Sequence, residues 1–353
     1  MQTSKFKTMR ILYSLVLVLL LNTGKAQIFI QQAANLYLAE KSSINVQGDL
    51  NSLENIAGTG RIGLEGDSVQ WINFNGYTLP QLEIDNASGV KMGGPLSILT
   101  KLHLKNGRLT LNGYKLELSS VAVVTNENIS AIETDGTGTV RKKINNNLSN
   151  FVIPLVSEQN YSRIIISTAG KYSNGFINVS SIGEASPNKP PDVQEYISNY
   201  WKVDRSGIEG DVHVTIDYSK FNDRKSSTIS LSGYYWNNNK WDPLNSSPNS
   251  QANSIKARIT GNGGELFAMR TESLVLYPNP AIASTRLMIM SLNDDRASIN
   301  ILDSRGRVVI VQSVLLHRGL NHVNIDVSHL ARGSYFIKFT RGDKQEILKF
   351  TRI

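Results

Sequence analysis

The amino-acid sequence predicts an all-β protein: a short right-handed parallel β-helix, then a β-sandwich, then a small antiparallel Ig-like sandwich at the C-terminus. Short alternating apolar and polar runs dominate the chain, and Gly, Asn and Asp residues separate them. Helical periodicity is hard to find, and 353 residues with 40% hydrophobic residues suffice for several packed domains. We predict four segments: residues 1–26, 27–140, 141–271 and 272–353.

Residues 1–26 have the organisation of a secretory signal peptide. Lys5, Lys7 and Arg10 precede an apolar run, Ile11–Leu21, and a small residue, Ala26, ends the segment. The apolar run is well short of the roughly 20 residues that a membrane-spanning helix needs. We therefore expect cleavage after Ala26 and export of the remaining chain; an uncleaved anchor is the alternative.

Composition and charge exclude several classes of function. The chain has no cysteine, which excludes thiolate nucleophiles, cysteine–zinc sites and iron–sulfur clusters. The net charge of +8 is concentrated at the two ends, because residues 1–26 carry four bases and no acid, and residues 273–353 carry 11 bases and 6 acids. The middle is nearly neutral, and its one basic triplet, Arg141–Lys143, is predicted to mark a strand end. We therefore predict no nucleic-acid partner.

Residues 27–140 contain a short repeat that predicts the β-helix. The runs recur with a 20-residue register, which is typical of a solenoid whose coils bury one another's apolar faces. The matched positions are Leu79 with Leu99, Leu82 with Leu102, Ile84 with Leu104, Gly93 with Gly113, Leu96 with Leu116 and Ile98 with Leu118. Four to five coils are expected between Ile44 and Asn126. Asn86, Asn106 and Asn126 share one column, where stacked side-chain amides are expected to bond to one another.

Two alternatives remain open for this segment. A leucine-rich repeat would explain the Leu-x-x-Leu-x-Leu pattern, although the rest of each unit is strand-like. A glycan-cleaving site would use Glu83 and Asp85, since two outward carboxylates on one strand could flank a glycosidic bond. The next coil has His103 and Lys105 instead, which is typical of solvent-facing positions. We therefore predict no enzyme, and no catalytic, cofactor-binding or metal-binding residue; a secreted polysaccharide-active enzyme is the alternative.

Residues 141–271 carry seven short alternating strand patterns, which predict a sandwich. Aromatic residues concentrate here, and a hairpin pattern holds Tyr235, Trp236 and Trp241. Alternation places neighbouring rings on opposite faces, and an exposed ring would stack on a sugar. These three residues are the predicted glycan contact; the alternative is that the rings pack in the core.

The last segment carries four motifs in order. They are Tyr277-Pro278-Asn279-Pro280, Asp303-x-x-Gly306, Leu330-x-x-Gly333-x-Tyr335 and Lys349. The prolines predict a rigid turn, and Gly306 suits a tight hairpin turn that requires a positive φ. His317, His322 and His329 match no metal motif by their spacing and are predicted to lie on the surface.

This order of motifs resembles the type A C-terminal sorting domain of the type IX secretion system. The repeat segment loosely resembles β-helical bacterial surface adhesins. The resemblance implies that an outer-membrane translocon reads the folded domain and that a sorting peptidase removes it near Met269–Ser273. The cargo is then tethered to surface lipopolysaccharide or released. Pro278, Asn279 and Pro280 would mark the start of the domain, and Gly333, Tyr335 and Lys349 its recognition end. We expect a secreted or cell-surface protein acting in adhesion or glycan contact.

Overall fold

The structure, a computed structural model, describes residues 27–134, 136–190, 193, 196–221, 231–244, 253–269 and 274–353. All regular secondary structure in these ranges is β-strand, which confirms the all-β prediction. Within the same ranges, no helix is long and apolar enough to cross a membrane. The predicted signal peptide lies outside the described residues.

Fifteen short strands follow one another through the solenoid. They are β1 (Ile28–Ile30), β2 (Tyr37–Leu38), β3 (Ser43–Val46), β4 (Leu50–Ser52), β5 (Ala57–Gly58), β6 (Arg61–Leu64), β7 (Gln70–Asn73), β8 (Thr78–Asp85), β9 (Val90–Met92), β10 (Leu96–Asn106), β11 (Arg108–Thr110), β12 (Lys115–Leu118), β13 (Val123–Asn126), β14 (Ala131–Glu133) and β15 (Thr139–Ile144). They stack in parallel on three faces and form about six turns.

The 20-residue register is confirmed over most of its length. Ile62 lies opposite Leu82, and Leu82 lies opposite Leu102, so each inward side chain covers the one in the coil before it. All three are at most 1% exposed. Burying a leucine or isoleucine stabilises the fold by about 1.5–3 kcal/mol, so the stacked column is a main source of solenoid stability.

One matched position is shifted by a bulge. Leu79 lies opposite Ile98, not Leu99, and the register changes between Ile98 and Lys101 where β10 passes from one face to the next. Leu99 is consequently 36% exposed. A β-bulge adds one residue to one strand, which the repeat in the sequence does not reveal.

The predicted asparagine ladder is wrong. A second bulge places Asn106 opposite Asp85 instead of Asn86. The buried amide of Asn86 donates to the side-chain oxygen of Gln70 (2.8 Å), and Asn126 donates to a carbonyl oxygen within its own turn (3.0 Å). The amides of Asn86 and Asn126 therefore bond to other groups and not to each other.

Seven strands follow the solenoid in antiparallel sheets consistent with a sandwich. They are β16 (Leu148–Ser157), β17 (Asn160–Ile182), β18 (Tyr196–Asp217), β19 (Ser232–Asn237), β20 (Lys240–Pro243), β21 (Ser254–Arg258) and β22 (Gly263–Met269). Two of the predicted short strands are parts of the single strand β17. Gly170 lies opposite Gly210, and an added Cβ on Gly170 would lie 2.0 Å from a backbone oxygen, so the close approach of the two strands requires glycine here.

Solenoid and sandwich share one hydrophobic core. β15 joins them, because it pairs in parallel with β12 and antiparallel with β17. The basic triplet Arg141–Lys143 lies inside β15 and not at a strand end, which corrects the prediction. Alternation along β15 turns the Lys142 side chain inward, where it is 1% exposed.

The C-terminal sandwich has its own core. Its strands are β23 (Val275–Tyr277), β24 (Ser284–Ser291), β25 (Asp295–Leu302), β26 (Val308–Leu316), β27 (Gly319–Asp326), β28 (Gly333–Arg341) and β29 (Lys344–Arg352). A three-stranded sheet, β23-β24-β27, and a four-stranded sheet, β26-β25-β28-β29, are both antiparallel. The prediction of a small antiparallel sandwich is confirmed.

Candidate functional site

Asn279 connects the first turn of the C-terminal sandwich to its last strand. Its Nδ2 donates to the Lys349 carbonyl oxygen (3.1 Å), and its Oδ1 accepts from the Thr351 backbone N–H (3.0 Å). The Ala281 N–H donates to the Thr351 carbonyl oxygen (2.8 Å) and continues this pairing. Both flanking prolines, Pro278 and Pro280, follow cis peptide bonds. The first and last motifs are thus brought together, although 70 residues separate Asn279 from Lys349.

Asp303 organises the hairpin between β25 and β26. Its Oδ1 accepts from the backbone N–H groups of Arg305 (2.9 Å) and Arg307 (3.0 Å), and its Oδ2 accepts from the Arg307 guanidinium (2.8 Å). The hydrogen bond from the Arg307 backbone N–H lowers the pKa of Asp303, and the bonds from the Arg307 guanidinium and the Arg305 backbone N–H lower it further. Gly306 has a φ of +79°, which favours glycine, and its N–H donates to the Asp303 carbonyl oxygen (2.9 Å). This motif therefore closes the turn.

Tyr335 lies in the core of the C-terminal sandwich. Its ring stacks on Phe350 with 5.5 Å between centroids, and its hydroxyl donates to the Ala331 carbonyl oxygen (2.9 Å). Gly333 begins β28 opposite Arg352, the last residue of β29. The tyrosine motif thus joins β28 to the terminal strand.

The four motifs meet at one end of the sandwich. Leu302, which precedes Asp303, lies opposite Phe336, and Phe336 lies opposite Lys349. We call this region the signal end; it consists of Asn279, Asp303, Gly333, Tyr335 and Lys349. Lys349 and the arginines of the β25–β26 turn are exposed, so the signal end is basic.

The family comparison agrees with this geometry. Residues 275–351 match the family model described as a secretion system C-terminal sorting domain. This segment is a type IX sorting domain. The match spans about a fifth of the chain. A sorting domain of this kind indicates a secreted or cell-surface protein that uses the type IX secretion machinery.

Comparisons of the whole chain are weak. The chain is similar to dimeric latent PorU from Porphyromonas gingivalis, with a TM-score of 0.22 and 14% identity, over 55% of this chain and 24% of that one. It is also similar to a polysaccharide lyase, with a TM-score of 0.18 and 11% identity, over 57% of this chain and 33% of that one. The chain thus spans about a quarter and a third of these proteins, and similarity this low shows neither a shared fold nor a shared activity. The chain matches none of the curated proteins with which it was compared.

The sorting domain contacts the sandwich at the end opposite its signal end. Asn293, between β24 and β25, accepts from the Trp241 backbone N–H (2.7 Å) and donates to the Trp241 carbonyl oxygen (2.5 Å). The Arg318 guanidinium lies 4.7 Å from the Trp236 ring centroid and donates to the Asn188 carbonyl oxygen. We call these contacts the Asn293 clamp. No sequence pattern pointed to Asn293, because its partners are 52 residues away in the chain.

Asn293→Ala is expected to loosen the sorting domain from the sandwich without unfolding either part. Two hydrogen bonds disappear and leave the Trp241 backbone groups unpaired, at a cost of about 1–3 kcal/mol. Calorimetry of the full chain should show a lower unfolding temperature. The matched control is Asn324→Ala on β27, which loses only a solvent-exposed hydrogen bond from Arg286 Nε (3.0 Å) and should therefore shift that temperature much less than Asn293→Ala. Equal shifts in both variants would contradict a clamp.

The predicted glycan contact is not supported, because its three side chains are mostly covered by neighbouring residues. Trp241 is fully buried and Tyr235 is 3% exposed, while Trp236 is half-buried between Trp241 and the Arg318 guanidinium. These rings pack in the core and in the clamp, so they present no flat exposed face to a sugar. The sequence analysis missed a more exposed tryptophan: Trp71, on β7, is 41% exposed. Its alternation with the buried Ile72 is the sequence signal that could have identified it.

The carboxylates considered for glycan cleavage bind cations of neighbouring coils. Glu83 bonds to Arg61 and, at 2.9 Å, to His103 Nδ1, while Asp85 accepts from Lys105 Nζ (2.6 Å). Partial burial by itself would raise the pKa of Glu83, but the bonds from His103 and Arg61 outweigh it and lower the pKa. Glu83 is therefore held as a carboxylate, which does not suit a general acid.

The histidines of the sorting domain are exposed, as predicted. His317, His322 and His329 all face solvent, and His317 Nδ1 lies 3.7 Å from Asp294. In the part of the chain that the structure describes, no group of three or more His, Asp or Glu side chains could hold a metal ion.

Proposed function

We propose that the protein is a non-enzymatic, adhesin-like surface or secreted protein, in which the solenoid and sandwich form a rigid cargo. One observation carries the export part of the proposal: the sorting motifs gather at the end of the sorting domain that faces away from the Asn293 clamp. A receptor can therefore bind the signal end while the folded cargo remains attached. The shared core of solenoid and sandwich makes the cargo a single rigid unit.

The proposed export route has two membrane steps. A signal peptide directs the chain across the inner membrane and is cleaved after Ala26, and the outer-membrane translocon then binds the sorting domain. A sorting peptidase cleaves near Met269–Ser273, of which residues 270–273 lie outside the described residues. The cargo is then tethered to surface lipopolysaccharide or released, and there it contacts an external glycan or another surface.

The second candidate function is that of a secreted polysaccharide-active enzyme. A cleft of about 400 Å³ on the solenoid flank favours it, since concave sites bind ligands. However, Glu133 is the one carboxylate among the described residues that line this cleft, and glycoside hydrolysis ordinarily uses two. Glu133 also accepts from Arg108 (3.0 Å) and Thr110 (2.7 Å). The single, paired carboxylate supports binding over catalysis.

Truncation after Arg270 tests the export route. The truncated chain should accumulate in the periplasm, whereas wild type should reach the surface or the medium, as measured by cell fractionation. Asn293→Ala is the matched control, because it removes the clamp and keeps the signal end; it should be exported. Surface delivery of the truncated chain would overturn the proposal. Quenching of tryptophan fluorescence by a soluble quencher will show whether the truncated cargo is folded, because Trp201 and Trp241 are buried and protected only in the folded cargo.

A further inference from the structure

Four outward side chains form a straight column across four successive coils of the solenoid. Trp71 lies opposite Lys91, Lys91 opposite Thr110, and Thr110 opposite Glu133. Neighbouring strands lie about 4.8 Å apart, so the column extends about 14 Å along the solenoid axis. We call this column, together with Arg108, the Trp71 strip.

The Trp71 strip borders a cleft on the solenoid flank. Lys91, Arg108, Thr110 and Glu133 line this cleft, whose volume is about 400 Å³. The other lining residues are mostly small or polar. Trp71 extends the same surface by one coil, with its ring centroid 6.0 Å from Lys91 Nζ. An aromatic ring, two cations and several hydrogen-bonding groups therefore lie in one row along the solenoid flank.

The charges of the strip leave one cation without a carboxylate partner. Arg108 and Glu133 neutralise each other at 3.0 Å. Lys91 is exposed, and no carboxylate of the described residues lies within ion-pair distance of it. Asp49 lies on the other side of Trp71, where its Oδ1 accepts from the Trp71 backbone N–H (2.8 Å) and so holds the strand.

We propose that the Trp71 strip binds a linear acidic glycan along the solenoid axis. The strand spacing is close to the length of one pyranose ring, so successive sugars would meet successive coils. One sugar face stacks on Trp71, the carboxylate of a uronic acid pairs with Lys91, and hydroxyl groups bond to Arg108, Thr110 and Glu133. This inference deepens the proposed adhesive function and rests on it.

Titration of the purified full chain with a galacturonate oligomer tests the proposal. Calorimetry should show binding, and tryptophan fluorescence should change with the same midpoint, because Trp201 and Trp241 are buried and Trp71 is exposed. Trp71→Ala should weaken binding at least about tenfold, the loss expected for one stacking contact. Lys91→Gln should weaken binding and reduce its dependence on salt.

Two controls make the result decisive. Tyr37→Ala removes an aromatic ring that is 70% exposed on another face of the solenoid, and it should leave affinity unchanged. A neutral glucose oligomer should bind at least about tenfold more weakly than the galacturonate oligomer. The proposal is overturned by absence of galacturonate binding at millimolar concentration, by unchanged affinity of Trp71→Ala, or by equal affinity for the neutral oligomer. Export of Trp71→Ala should remain normal, so failure here is distinguishable from failure of the sorting route.

Discussion

Replacing Tyr335 with alanine is expected to unfold the sorting domain and to retain the protein in the periplasm. Tyr335 is 8% exposed and stacks on Phe350 in a core that is separate from that of the cargo. Truncating a buried aromatic residue costs about 3–5 kcal/mol. A domain of about 80 residues is stable by only about 4–12 kcal/mol, so the substitution removes a large part of its stability.

Tyr335→Phe separates folding from recognition. It keeps the stacked ring and removes only the hydroxyl bond to the Ala331 carbonyl oxygen, at a cost of about 1 kcal/mol. Calorimetry of the full chain should show that only the alanine variant loses the sorting-domain transition. Cell fractionation should find the phenylalanine variant outside the cell and the alanine variant in the periplasm. A folded but retained phenylalanine variant would contradict a structural role for Tyr335, because the translocon would then read the hydroxyl directly.

Lys142→Met is expected to destabilise the junction between solenoid and sandwich. Lys142 continues an inward column of Leu79, Ile98 and Leu118. Its Nζ donates to the carbonyl oxygens of Ser119 (2.7 Å), Ser120 (3.0 Å) and Ala122 (2.7 Å). The ammonium group thus satisfies three acceptors at the end of the solenoid core. Methionine fills a similar volume but donates to none of them, so we expect a loss of about 2–4 kcal/mol at pH 7.

Lys143→Met is the matched control for this substitution. Lys143 is the next residue on the same strand, but its side chain is 54% exposed and pairs with Glu117 on the surface. An exposed ion pair contributes about 0–1 kcal/mol. Urea unfolding of both variants should therefore give a much larger shift for Lys142→Met. Similar shifts would mean that the three carbonyl bonds contribute little.

The pH dependence of stability gives a second test of Lys142. Burial lowers the pKa of Lys142 from its ordinary value of 10.5 to about 8. Between these pH values the unfolded chain binds the additional proton, so the wild type gains stability as the pH rises from about 8 towards 10.5. The gain is at most about 1.4 kcal/mol per pH unit. The stability difference between wild type and Lys142→Met should therefore widen over this range; a constant difference would mean that Lys142 stays charged when folded.

Local patterns in the sequence predicted the strands, the parallel stack and the order of the sorting motifs. Alternation decides which side chains of a strand face inward, and inward residues such as Leu82 and Leu102 keep their register through regular coils. Bulges break that register without a signal in composition, which is why Leu99 and the asparagine column were placed wrongly. The motif residues were identifiable because each closes a local turn or begins a strand.

The tertiary structure decided which outward-facing or polar side chains are buried by neighbouring elements. Alternation indicated a side for Tyr235, and it could have done so for Trp71, which the sequence analysis missed. Only the neighbouring elements determine that Tyr235 is buried and Trp71 is exposed. Likewise, the sequence shows a basic triplet, while the last coil of the solenoid turns Lys142 into its core. The sequence alone therefore determined the periodic architecture and the sorting tail, because these depend on local spacing. The clamp, the buried lysine and the exposed strip depend on contacts between distant segments, which only the folded chain brings together.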